Sequence, residues 1–170
     1  RSLGQETMFA DESFGDEEVG AQHFQYRGQY IVSATSSGLM IVDQHRAHVR
    51  VLYDRYIGQM ARQENTTQGL LFPELLTLAS ADAQILERNM EDVRHLGFDV
   101  ASIGGGSFSI NGLPAGIEGL NPQAVLCDMI ESVREGKTPE LSENRHRMAL
   151  SLARVAAIVE GQVLSQGEMD

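Results

Sequence analysis

The chain has 170 residues, 42% of them hydrophobic, with 24 Asp and Glu against 13 Lys and Arg, no Trp and one Cys. That length suits one ordinary domain, or one domain carrying a smaller inserted unit, and it buries a core without a disulfide or metal staple. A formal charge of −11 argues against a domain devoted to gripping phosphates. The lone Cys127 excludes an internal disulfide or a CxxC-type zinc site and points to a reducing compartment. No apolar run approaches the ~20 residues that span a bilayer, and no basic-then-apolar leader opens the sequence, so a soluble, untargeted chain is expected.

Residues 1–20 carry Glu6, Asp11, Glu12, Asp16, Glu17 and Glu18 against Arg1 alone, so the other 150 residues are only mildly acidic and leave room for a local DNA contact. This stretch lacks periodicity and reads as an acidic flexible linker. Its sparse apolar residues Leu3, Met8, Phe9 and Phe14 admit a second reading as a short docking motif. Residues 24–34 alternate as one strand interrupted at Gly28, and Ser36–Gly38 form a turn. The apolar run 39–43 is expected to be a strand covered on both faces. Val49, Leu52, Tyr53, Tyr56, Ile57 and Met60 follow helical spacing from Ala47 to about Arg62. Residues 70–78 are extended, with Pro73 favouring an edge or a bulge.

Ser80 is the expected cap of a helix striped by Ile85, Leu86, Met90, Val93 and Leu96 and closed by Gly97. Residues 98–102 and 107–112 flank Gly104-Gly105-Gly106 as a hairpin, since no phosphate-loop Lys follows the glycines. Pro122 opens a helix to about Arg134, 135–144 connect, and 146–161 form a helix that is apolar nearly all round. The charged entry to that helix (Arg145, His146, Arg147) reads as a solvated face. Ser165 and Glu168 look like the cap of a helix the sequence does not continue, which reads as a chain cut short. The expected fold is α/β (α+β): a two-layer unit over 21–65 and 139–170, with a smaller α/β unit, 66–138, inserted.

Asp43-Gln44-His45-Arg46-Ala47-His48 is the densest polar cluster, at a strand end running into a helix. Asp43 and His45, with His48 one turn on, have spacing that suits one metal ion. The same residues also read as a helix cap, a corner hydrogen bond and a solvated imidazole. Arg46 and Arg50 are one turn apart and make a small basic patch, either solvated or touching DNA phosphates.

The run GQYIVSATSSGLMIVDQHRAHVRVLYDRY, with SLARVAAIVEG downstream, resembles the C-terminal domain of the MutL mismatch repair family. In that family the strand ends in DQHAxxExxxxE, a metal-binding endonuclease motif. Here Asp43, Gln44 and His45 match, but Val49 stands at the first glutamate, Asp54 at the second, and Ala153 at the family's cysteine. The resemblance therefore implies a dimerisation domain whose endonuclease motif is degenerate, with no catalytic residue and no resident metal, and Asp43 and His45 as the ligands if one binds. The enzyme alternative is a metal-dependent nickase completed by ligands beyond Asp170. A third reading is a small-molecule-binding regulatory domain.

Gln68-Gly69-Leu70-Leu71-Phe72-Pro73 is similar to the peptide by which such proteins hold the replication sliding clamp, with Gln68, Leu71, Phe72 and Pro73 as contacts; a plain edge strand is the equal alternative. The resemblance further implies a homodimer, with Leu150, Leu152, Val155, Ile158 and Val159 and the hairpin 24–43 at the interface. It also implies docking to the mismatch-recognition protein MutS, weak DNA contact, no membrane, and a cytoplasmic, nucleoid-associated location. ATP and Mg are expected only in an N-terminal domain outside this sequence.

Overall fold

The computed structural model describes residues 23–138 and 140–159, with the backbone alone at 158 and 159. The expected linker 1–20 and the cap at Ser165 and Glu168 lie outside the described residues. The α/β expectation holds: eleven elements form two antiparallel three-stranded sheets and five helices among the described residues.

The first sheet is β1 (His23–Tyr26), β2 (Tyr30–Thr35) and β3 (Gly38–Asp43) in that order. The single strand expected over 24–34 is in fact a hairpin. Arg27 and Gly28 both take positive φ (54° and 66°), the Gln29 N–H donates to Tyr26 O at 3.2 Å, and Phe24 comes to lie opposite Val32. Two successive left-handed residues match the right-handed twist of a tight hairpin, and Gly28 carries one of them without cost.

Helix α1 (Gln44–Ala61) follows β3 directly, starting three residues before Ala47. Two bonds tie its start to the first hairpin: Gln44 N–H to Gln29 O at 2.8 Å, and Gln25 Nε2 to Gln44 Oε1 at 2.6 Å.

The second sheet runs β4 (Gln68–Thr77), β6 (Ser107–Leu113), β5 (Asp99–Gly104), which makes β4 an edge strand. Its register with β6 jumps between Gly69 and Glu74, so Pro73 sits in the bulge its missing N–H favours. The expected helix from Ser80 breaks at Asn89 into α2 (Ser80–Arg88) and α3 (Met90–His95). Ala79 takes the cap position without a side-chain bond, which leaves Ser80 as the first helical residue. Gly97, at φ 111°, closes α3; a Cβ there would stand 2.7 Å from Thr66 O. Helix α4 (Pro122–Arg134) has Asn121 Oδ1 accepting from the Ala124 N–H at 3.2 Å. Helix α5 (Leu141–Val159) begins five residues earlier than expected.

One apolar cluster joins Leu52, Tyr56 and Met60 of α1, Leu86 and Val93 of α2–α3, Phe108 and Ile110 of β6, Leu126 and Met129 of α4, and Met148 and Leu152 of α5. The second sheet thus lays one face on the helices, and α5 packs between α1 and α4. The first sheet adds almost nothing to this core, since Ser33 is its one buried residue.

A polar joint inside the core went unread in the sequence. Asn89 Nδ2 donates to Ile85 O at 2.8 Å while its Oδ1 accepts from Asn144 Nδ2 at 3.2 Å, and both residues are buried. One turn on, Arg145 Nε lies 3.0 Å from both oxygens of the buried Asp92. Arg145 therefore tethers α5 to α3 rather than forming part of a solvated face.

Candidate functional site

At the strand–helix corner, Asp43 Oδ1 accepts the Arg46 N–H at 3.1 Å, capping α1 as its extended backbone (φ −70°, ψ 111°) allows. The cap reading of Asp43 is thus what the geometry contains. The Arg46 guanidinium stays near the same carboxylate at 3.9 Å. His45 is exposed on the first turn, and Asp54, the residue at the motif's second acidic position, pairs with Arg50 at 3.2 Å. Val49 faces α5 among apolar neighbours. No group of three or more His, Cys, Asp or Glu converges among the described residues. Asp43 and His45 alone thus fall short of the several nitrogen or oxygen ligands a divalent ion needs, among the described residues.

Beside the corner, Arg46, Val49, Arg50 and Tyr53 of α1 and His146 and Leu150 of α5 line an open groove of about 170 Å³. Tyr53 Oη and His146 Nδ1 are 2.6 Å apart with their rings edge-on, and the Arg50 guanidinium lies 5.9 Å from the Tyr53 ring centre. The groove thus has an aliphatic floor, a tyrosine–histidine wall and two arginines on its rim. His146 and Leu150 join Arg46 and Arg50 there, a pairing invisible without knowing that α1 and α5 are neighbours.

The second surface is the outer face of the first sheet. Phe24, Val32 and Ile41 stand in one cross-strand row, Tyr26 is opposite Tyr30, and Leu39 is opposite Ala34. Phe24 and Ile41 are 63% and 62% exposed, and Tyr26 and Leu39 on the same face are exposed too. The expectation that 39–43 is covered on both faces is therefore corrected: among the described residues Leu39–Ile41 are open and only Val42 and Asp43 are half-buried. Of the α5 residues expected at a dimer face, Leu152 is 0% exposed within the chain's own core and is removed from that face. Leu150 and Val155 are half-buried, and the side chains of Ile158 and Val159 lie outside the described residues.

The third surface is the β4 bulge, where Leu71 and Phe72 are 94% and 82% exposed while Leu70 packs on the core. A plain edge strand would place Phe72 on the same face as the core-packed Leu70; the bulge turns it outward. Gln68 lines a broad open groove that runs from the edge strand to the start of α4. Cys127 is no candidate nucleophile: partial burial pushes its thiol up from the usual value, and the carboxylates of Asp128 and Asp82 push it further.

No helix among the described residues is long and apolar enough to cross a membrane. Residues 23–164 match the family model described as the MutL C terminal dimerisation domain. The DNA mismatch repair protein MutL of Bacteroides fragilis is 46% identical over 164 residues, covering 96% of this chain and 26% of that protein. Its counterpart in Phocaeicola vulgatus is 47% identical over 154 residues, covering 89% and 24%. That of Chlorobium luteolum is 35% identical over 146 residues, covering 86% and 23%. The chain thus spans about a quarter of the length of these relatives. The match runs through the corner, both sheets and α5 alike, and the chain belongs to the family of MutL C terminal dimerisation domains.

Proposed function

We propose that this chain joins two copies of its parent protein through the outer face of the first sheet. The observation that carries the reading is the row of large apolar side chains there: Phe24, Tyr26, Leu39 and Ile41, all more than half exposed on one face of three short strands. Contiguous apolar area of that kind is unusual on a monomer and marks an interface. A two-fold pairing presents the same patch from both sides. Leu150 and Val155 lie on α5, Leu150 in the groove beside the β3–α1 corner, and they join the interface where it extends round that helix. Sedimentation tests this: a dimer is expected at micromolar concentration, and a stable monomer overturns the reading.

The β4 bulge is the docking peptide for the sliding clamp. Leu71 and Phe72 project with none of the other described residues covering them, Gln68 adds amide hydrogen bonds, and Pro73 limits the entropy lost on binding. In this reading 66–138 is the regulatory unit and the ATPase domains of the parent protein lie outside the chain. Leu71→Ala with Phe72→Ala is expected to abolish clamp binding in a surface-capture assay without loosening the dimer.

The endonuclease motif is degenerate. Val49 supplies methyl groups where the family's motif has a carboxylate, Asp43 caps α1, and Asp54 is held by Arg50. The parent protein is then expected to leave supercoiled plasmid intact in manganese. Nicking abolished by Asp43→Asn favours the enzyme alternative instead.

A further inference from the structure

The groove between α1 and α5 has a rim and a floor of opposite character. Arg46 and Arg50 stand over the aliphatic Val49 and Leu150, with Tyr53 and His146 as one wall. An occupant that satisfies all of them is anionic and carries an apolar or aromatic group. At about 170 Å³ the groove has room for one ring, since an apolar cavity of about 150 Å³ takes up benzene. The arginines are available. Arg46 keeps only a 3.9 Å association with Asp43, and the Arg50–Asp54 pair at 3.2 Å is solvent-exposed on both sides. Exposed pairs of this kind hold so weakly that another carboxylate exchanges into them readily.

The sequence contains that occupant. Phe9-Ala10-Asp11-Glu12 and Phe14-Gly15-Asp16-Glu17 repeat one pattern: a phenylalanine, a small residue and two acids, with Glu18 extending the second. We propose that this Phe-small-Asp-Glu segment of the same chain docks in the α1–α5 groove, a phenylalanine ring on Val49 and Leu150 and its acids on Arg46 and Arg50.

The tether is long enough. Phe14 is nine residues before His23, a reach of about 30 Å when extended. His23 is opposite Ser33, which is opposite Met40, two strand spacings or about 10 Å across the sheet, and Asp43 stands three residues further along β3, about 10 Å beyond Met40. Arg46 and Arg50 occupy the first two turns of α1, about 10 Å more. The docked segment occupies the basic patch that would otherwise be open to nucleic-acid phosphates, so the chain carries its own anionic competitor.

The test uses the full 170-residue chain and the His146 imidazole as reporter, because its bond to Tyr53 forms the groove wall. Phe9→Ser with Phe14→Ser changes no residue of the described core. It is expected to move the His146 ring resonances and to speed amide exchange of residues 9–18 at least tenfold. Arg46→Glu with Arg50→Glu is expected to do the same, and reversing the four acids Asp11, Glu12, Asp16 and Glu17 to Lys in that background to restore protection. The effect is expected to weaken as salt rises and to be independent of protein concentration. Three results overturn the proposal: unchanged His146 resonances in the Phe double variant, concentration-dependent protection, and a groove that responds to a short DNA duplex but not to the Phe substitutions.

Discussion

The two sheets have the same number of strands and the same antiparallel pairing, yet they stand in opposite relations to the other described residues. In the second sheet Leu76 and Phe108 share one cross-strand row, Ile110 and Val100 the next, and all four are buried under the helices. In the first sheet the equivalent row of Phe24, Val32 and Ile41 looks outward. Alternation in a strand tells which side chains share a face, while the helices decide whether that face is covered from within the chain. The second sheet is covered by the helices of its own chain, and the first is left uncovered by the other described residues.

The largest effect is expected where the second sheet meets the helices. Phe108→Ala removes a fully buried ring from the centre of the core and is expected to lower unfolding stability by about 3–5 kcal/mol, read as a fall in the denaturant midpoint. The same truncation at Phe24 is expected to leave a monomer's stability nearly unchanged, since the ring is mostly in water there. A comparable loss at both positions would collapse the distinction between the sheets.

Next in size is a charge on the open face. Ile41→Asp places a carboxylate opposite Val32, in the row that ends at Phe24 two strands away, harmless in a monomer but desolvated in a sheet-to-sheet dimer. A dimer dissociation constant raised on the order of a hundredfold, about 3 kcal/mol, is expected from sedimentation, with the helical circular dichroism unchanged. An unaltered dimer moves the interface elsewhere, and α5 around Val155 is then the first place to look.

What could be read from the sequence divides along the same line. The hairpin around Gly104–Gly106, α4 with Pro122 in its first turn, and the bulge at Pro73 were all legible, because each is set by local chemistry: glycine's free φ, proline's fixed one and its missing N–H. The hairpin at 27–28 escaped because Arg27 gives no sign that it will take positive φ; only the pairing of Phe24 with Val32 compels it. Asn89 escaped because helical periodicity continues through it, while its side chain is spent on Ile85 O and Asn144. The apolar run 39–43 was read as doubly buried because hydrophobicity registers the need for a cover without saying which chain supplies it. At the corner the residues could be named from sequence, but Arg46 and Arg50 gain His146 and Leu150 as neighbours only through the packing of α5 on α1.

A smaller loss is expected at the joint between α3 and the second sheet. Gly97→Ala forces a side chain into positive φ with Thr66 O in its path, and about 1–3 kcal/mol of unfolding free energy is expected to go. Because the strain falls on the self-covered half of the molecule, the dimer dissociation constant is expected to hold. A variant that dissociates while staying folded would show that the two sheets are coupled through the helices.

The smallest effect separates two meanings of one carboxylate. As a cap, Asp43 needs only an oxygen that accepts the Arg46 N–H, and an asparagine oxygen serves nearly as well. Asp43→Ala is therefore expected to cost about 1 kcal/mol of stability and Asp43→Asn only a few tenths, with the dimer unaffected by either. As a metal ligand Asp43 needs its charge, so Asn would be as damaging as Ala and the loss would appear only when divalent ion is added. Thermal unfolding of the three proteins with and without manganese distinguishes these patterns. A stabilisation by manganese that survives in the parent and vanishes equally in both variants would return the corner at the end of β3 to chemistry.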